Sequence, residues 1–138
     1  MMVTVVDYVD IARSYIGTPF KHQGRLPGVG LDCAGVVVCA LREAGYPVAD
    51  AAAYGRIPNH GMFVKVVEMN YNRVPIAEIQ HGDAMIFAFR NEPQHIAIYT
   101  GNATLIHAYQ EVKKVVEHDF DGIWRDRLRG CYRLKEVV

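Results

Sequence analysis

A cysteine and two histidines are the residues of this chain best suited to covalent chemistry: Cys33, His95 and His107. Cys33 falls in Gly30-Leu31-Asp32-Cys33-Ala34-Gly35, behind a loop holding Pro27 and Gly28 and ahead of the apolar run Val36-Val37-Val38-Cys39-Ala40-Leu41. Asp32 is a residue type that caps helix N-termini, and Gly45 and Pro47 supply a stop. The spacing predicts a helix from Cys33 towards Gly45. Val36-Val37-Val38 alone would suit a buried strand equally well, and the length of the apolar stretch favours the helix. In a first helical turn, unpaired N–H groups and the positive dipole end favour a thiolate, which is the nucleophilic form. Cys33 is therefore expected to titrate below the ~8.5 of a free thiol.

A thiol nucleophile needs a base to take its proton, and the base needs a partner to fix its tautomer. His95 opens the expected strand His95-Ile96-Ala97-Ile98-Tyr99-Thr100, and His107 lies within Thr104–Tyr109, with Gly101-Asn102 between them as a hairpin turn. If both rings face the helix layer, His95 reaches Cys33 while His107 bonds the far nitrogen of His95. Cys39 and Cys131 stand in apolar surroundings and read as small buried hydrophobes. His22, His60, His81 and His118 lie in or beside loops, and of these only the His22 loop abuts the expected cleft. A zinc site from Cys33, His95 and His107 is chemically conceivable, but the short ligand spacing is missing. No metal or other cofactor is expected.

The rest of the chain must position these groups. Its 138 residues, 51% hydrophobic and 22% charged, describe one globular domain over residues 1–138. Fifteen basic and fifteen acidic residues cancel, leaving no broad field to hold nucleic acid. No apolar run approaches the ~20 residues of a spanning helix, so membrane insertion is not expected. Met1–Asp7 lacks the basic and apolar segments of a signal peptide, so synthesis in the cytoplasm is expected. Three cysteines without paired spacing argue against a disulfide framework.

Tyr8, Ile11, Ala12, Tyr15 and Ile16 predict an amphipathic helix from Asp7 to Ile16. Met62–Asn70 reads as a short helix, Asp50–Pro58 as an alanine-rich turn region, and Asn70-Tyr71-Asn72 with Pro75 as loop. Strands follow at Ala84–Phe89, His95–Thr100, Thr104–Tyr109, Val112–His118 and Gly130–Leu134, with turns at Arg90–Pro93 and Asp121-Gly122. Helices first and a meander afterwards predict an α+β domain, with N-terminal helices packed on one face of a central antiparallel sheet.

The ordered set of motifs resembles the NlpC-type family of cell-wall cysteine peptidases, which have a papain-like fold. The matching segments are Tyr15-Ile16-Gly17-Thr18-Pro19-Phe20, Gly30–Gly35, Gly82-Asp83-Ala84-Met85-Ile86-Phe87, His95–Gly101 and Ile106-His107-Ala108. The loop His22-Gln23-Gly24-Arg25 with Pro27-Gly28 further resembles the subgroup found among phage tail assembly proteins. The resemblance implies a nucleophile at Cys33, a general base at His95 and an orienting residue at His107. It implies cleavage of peptidoglycan stem peptides, commonly between γ-D-glutamate and the next diamino acid. Phe20, His22, Arg25, Asp32 and Ala34 are the expected substrate-binding positions. Asp32 either holds a substrate amine or simply caps the helix. Ala34 stands where many members have serine, and Phe20 where many have a tyrosine whose hydroxyl lies beside the nucleophile. The implied partners are a peptidoglycan peptide and phage tail proteins, in a virion tail or delivered to the periplasm. The rival expectation is an inactive tail-assembly or wall-binding module on the same fold. Acyl transfer by the same thiol ranks third.

Overall fold

Tyr8, Ala12 and Tyr15 return to one side of a helix after each turn, and all three are buried together with Val9. The computed structural model describes residues 5–50, 64–89 and 92–135, and in it α1 (Val5–Arg13) carries this stripe. The helix ends at Arg13 rather than Ile16, and Ile16 is exposed. The valine run resolves as helix: α2 (Cys33–Glu43) buries Ala34 through Leu41. Asp32 caps it, accepting the Gly35 N–H at 2.8 Å. Gly45 follows in the left-handed region at φ +91°. α3 (Val64–Asn70) buries Val66 and Val67 and leaves Met69 exposed. Met62, Phe63 and residues 51–58 of the alanine-rich stretch lie outside the described residues.

β1 (Arg25–Leu26) and β2 (Gly30–Leu31) make a small hairpin before α2. The main sheet contains β3 (Tyr71–Val74), β4 (Ala84–Phe89), β5 (Glu92–Tyr99), β6 (Thr104–Tyr109), β7 (Lys114–Asp119) and β8 (Leu128–Leu134). Their order is β3-β8-β4-β5-β6-β7, antiparallel throughout. The expected meander is β4 to β7, and β8 returns along the outer side of β4.

Three expectations need correction. Tyr71-Asn72 is the edge strand β3 rather than loop, because β8 offers it a ladder (Tyr71↔Leu134, Val74↔Cys131) and Tyr71 is buried with its hydroxyl bonded to Tyr8. β5 begins at Glu92, so Glu92 and Pro93 of the expected Arg90–Pro93 turn pair with Phe89 and Ala88, while Arg90 and Asn91 lie outside the described residues. A register shift between Phe87 and Ala88 lets the proline sit in the ladder. Finally, the turn expected at Asp121-Gly122 opens a six-residue helix, α4 (Gly122–Arg127), too short to show a period.

α4 changes the layering, since helices cover both faces of the sheet rather than one. On the first face Ile86, Ile96, Ile98, Ile106, Ala108 and Val115 pack with α1, α2 and α3. On the second, Met85, Phe87, Ala97 and Leu105 pack with Phe120, Trp124, Leu128 and Cys131.

Candidate active site

Cys33 is the first residue of α2, and its neighbours are set by the loop that Asp32 ties down. One Asp32 oxygen takes the Gly35 N–H and the Arg25 guanidinium at 2.9 Å, and the other takes the Gln23 N–H at 2.9 Å. Arg25 in turn forks onto Asp50 at 2.9 and 3.0 Å and bonds the Gly24 carbonyl. A Cβ on Gly35 would meet the Gly24 oxygen at 2.2 Å, so loop and helix approach as only glycine allows. Asp32 is thus the helix cap, with both oxygens engaged. Arg25 is the strut that holds the loop against it. Phe20 and His22 line an open cleft of about 320 Å³ with Lys21 and Gln110, while Ala34 is buried beneath the helix start.

The β5–β6 ladder pairs Ile98 with Ile106 and Tyr99 with Leu105 and ends there. Beyond that parting, the Cys33 sulfur lies against the N–H of Ile96, the residue that follows His95, and against the N–H of Ala34. His95 and His107 are joined by a hydrogen bond from ring to ring, Nε2 to Nδ1. Their rings do not face the helix layer as expected. They alternate with the helix-facing isoleucines and pack under Trp124 of α4, at 6.0 and 5.0 Å between centroids, beside Tyr109. Phe87 and Phe89 complete the wall around His95. The structure therefore brings the two histidines together, and it brings Cys33 to the backbone one peptide from His95. Among the described residues no hydrogen bond joins the Cys33 sulfur to His95. In substrate-free enzymes such contacts are often long and tighten only on binding.

With that arrangement the comparison with known proteins is decisive. The NlpC/P60 family model matches residues 17–133. The chain belongs to the NlpC/P60 family. It is 29% identical over 119 residues to a probable endopeptidase of Mycobacterium tuberculosis, covering 83% of this chain and 26% of that protein. It is 26% identical over 136 residues to a γ-DL-glutamyl hydrolase of Bacillus subtilis, covering 96% of this chain and 30% of that protein. The chain thus spans about a third or less of the length of these curated relatives. An NlpC/P60 protein of Bacillus cereus superposes with a TM-score of 0.77 at 20% identity, over 97% of this chain and 41% of that one. The expected papain-like α+β fold is the observed one.

This NlpC/P60 domain does not hold an acidic thiol in the free state. Burial pushes the Cys33 thiol up to about 12, and the Asp32 carboxylate adds to the rise. The N–H groups of Ile96 and Ala34 and the Arg25 charge pull the other way and lose. Burial likewise lowers His95 to about 3, helped by His118 and Arg127. His107 is lowered by burial and then by the two neighbouring imidazoles. Neutral thiol and neutral rings are the resting forms at neutral pH. Among the described residues no group of three or more His, Cys, Asp or Glu side chains is arranged to hold a metal ion.

Two residues of this centre were not singled out from sequence. His118 of β7 bonds His107, Nε2 to Nε2, at 2.8 Å. Its signal is register: His107 pairs with Val116, so His118 lies two residues along on the same face. Trp124, the chain's single tryptophan, roofs all three imidazoles.

Proposed function

We propose that this domain is a cysteine peptidase that hydrolyses the stem peptides of peptidoglycan, at the bond between a γ-D-glutamyl residue and the diamino acid after it. The observation that carries the reading is the Cys33 sulfur, seated at a helix start against the Ile96 N–H, one residue from an imidazole whose far nitrogen is held by His107. The endopeptidase and γ-DL-glutamyl hydrolase named among its relatives support the substrate class.

Cys33 attacks the amide carbonyl as its proton passes to His95. Because both groups rest neutral, proton transfer accompanies attack rather than preceding it. N–H groups at the start of α2, that of Cys33 included, take the developing oxyanion, each worth about 10²–10³ in turnover. His95 then protonates the leaving amine and activates water against the acyl-enzyme. His107 holds the His95 ring throughout. The cleft beside Phe20 and His22 receives the peptide, and Asp32 and Arg25 serve it indirectly by fixing that wall. Ala34 and Phe20 supply no hydroxyl there, so backbone donors carry the anion. The similarity of the His22–Gly28 loop to tail assembly proteins supports a phage or prophage tail as the setting, with cytoplasmic synthesis and delivery to the wall by the tail.

The test is release of soluble fragments from purified peptidoglycan. The wild type releases them and Cys33→Ala does not, while both show the same circular dichroism. Equal release by the variant removes the reading. Wall binding without release by either protein points instead to a binding module.

A further inference from the structure

Three imidazoles run in series from the buried centre to the surface: His95 to His107 by Nε2 and Nδ1, His107 to His118 by Nε2 and Nε2, and His118 Nδ1 to the Asp119 carbonyl at 2.9 Å. The last contact sets the polarity of the whole series. A carbonyl oxygen only accepts, so His118 carries its proton on Nδ1. In a neutral ring that leaves Nε2 as an acceptor, and His107 must donate to it from Nε2–H. His107 Nδ1 is then the bare nitrogen, and His95 must donate to it from Nε2–H. What is left is His95 Nδ1, unprotonated, the only ring nitrogen of the three left over to receive a proton.

We propose that His118 is a positioning residue of this centre: through His107 it fixes the tautomer of His95 that can accept the thiol proton at Nδ1. The inference rests on the cysteine peptidase reading for its consequence, but its geometry stands alone. As His95 Nδ1 takes the proton from the Cys33 sulfur, the His95 Nε2–H stays bonded to His107 and the His107 Nε2–H to His118, which is half-buried. His95 gives the same proton to the leaving amine, so no proton is gained or lost. The Arg127 charge of α4 opposes charge on the inner ring.

The experiment has a readout that does not need turnover. In protein carrying ¹⁵N-histidine, long-range ¹H–¹⁵N spectra assign each ring. We expect Nε2–H for His95 and His107 and Nδ1–H for His118; a His95 protonated on Nδ1 overturns the proposal. Two variants of the half-buried position then separate position from packing. The amide oxygen of His118→Gln still accepts from His107, so the tautomers persist and kcat stays within about threefold of wild type. The ammonium of His118→Lys only donates, which forces His107 and His95 to reverse. In that variant kcat falls about 10²-fold at unchanged KM. Equal kcat in all three proteins overturns the inference while leaving the peptidase reading intact. If the wild type itself releases nothing, the peptidase reading fails and the tautomer assignment still decides this one.

Discussion

The two faces of the sheet are built on opposite plans. The face under α1, α2 and α3 is aliphatic, with Val37, Leu41, Ile96, Ile98 and Ile106 filling it and Cys33 at its margin. The face under α4 is aromatic, with Phe87, Phe120 and Trp124 enclosing a polar series of imidazoles. On the first face the helices only need volume to be filled. On the second the ring nitrogens other than His95 Nδ1 are paired with one another or with a carbonyl, because an unpaired polar group in so dry a place costs about 1–3 kcal/mol. The comparison teaches that Cys33 and His95, the proposed nucleophile and base, come from different layers, with the Cys33 sulfur against the Ile96 N–H one residue from His95.

The largest effects are expected where that approach fails. His107→Leu leaves the His95 Nε2–H without a partner and frees the ring to turn. Turnover on peptidoglycan should drop about 10²–10⁴-fold, whereas Val37→Ala on the aliphatic face should lower stability by about 1–3 kcal/mol and leave kcat near wild type. Chemical denaturation and turnover measured on both variants check the contrast. Trp124→Ala comes next. It removes the roof of the imidazoles and should cost about 3–5 kcal/mol. Because burial is what lowers His95, its proton affinity should rise in this variant, visible as a higher pH midpoint for the ring's NMR shift.

Acid should find the same asymmetry at smaller cost. Folded His95 takes a proton only near pH 3, against 6.5 for an unperturbed ring. Between those values the unfolded chain binds more protons. The stabilisation is therefore complete above about pH 6.5 and is lost as pH falls towards 3. By pH 5 this amounts to about 2 kcal/mol from His95 alone. Urea midpoints at pH 7 and pH 5 should show the loss, and a smaller loss in His95→Gln, which has no such proton to take. Of similar size is the effect of packing at the loop. Gly35→Ala drives a methyl into the Gly24 carbonyl and should cost about 1–3 kcal/mol, measured as a shift in denaturation midpoint.

The aliphatic face was the legible one. Stripes such as Tyr8, Ala12 and Tyr15, and the capped run from Asp32 to Glu43, are written in periods that need no tertiary knowledge. The strands Ala84–Phe89 and Thr104–Tyr109 were readable to the residue for the same reason. β3 and α4 were not, since four residues of edge strand and six of helix carry too little period and owe their form to β8 and to the Trp124 roof. Within the site, the His95–His107 neighbourhood followed from the hairpin. The side they face did not, because alternation against Ile96 and Ile106 was outweighed by the attraction of the cysteine. His118 needed the β6–β7 register, which a turn of uncertain length hides.

The acidity of Cys33 is where sequence reasoning erred most, and it supplies the smallest and most discriminating test. Asp32 was the mark of a helix start, and a helix start favours thiolate. Yet the same carboxylate sits beside the sulfur and, after burial, is the main influence against ionisation. The cap that creates the favourable dipole end also cancels it. Alkylation of Cys33 by iodoacetamide at pH 7 should therefore be slower than that of a free cysteine, and its rate should keep rising with pH through the ~8.5 where a free thiol levels off. Asp32→Asn keeps an oxygen for the Gly35 N–H and removes the charge. If the carboxylate matters as argued, Cys33 alkylation at fixed pH should speed up by about tenfold at most. An unchanged rate would assign the high thiol pKa to burial alone. A plateau near neutral pH in the wild type would restore the acidic thiol and, with it, a thiolate–imidazolium pair formed before substrate arrives.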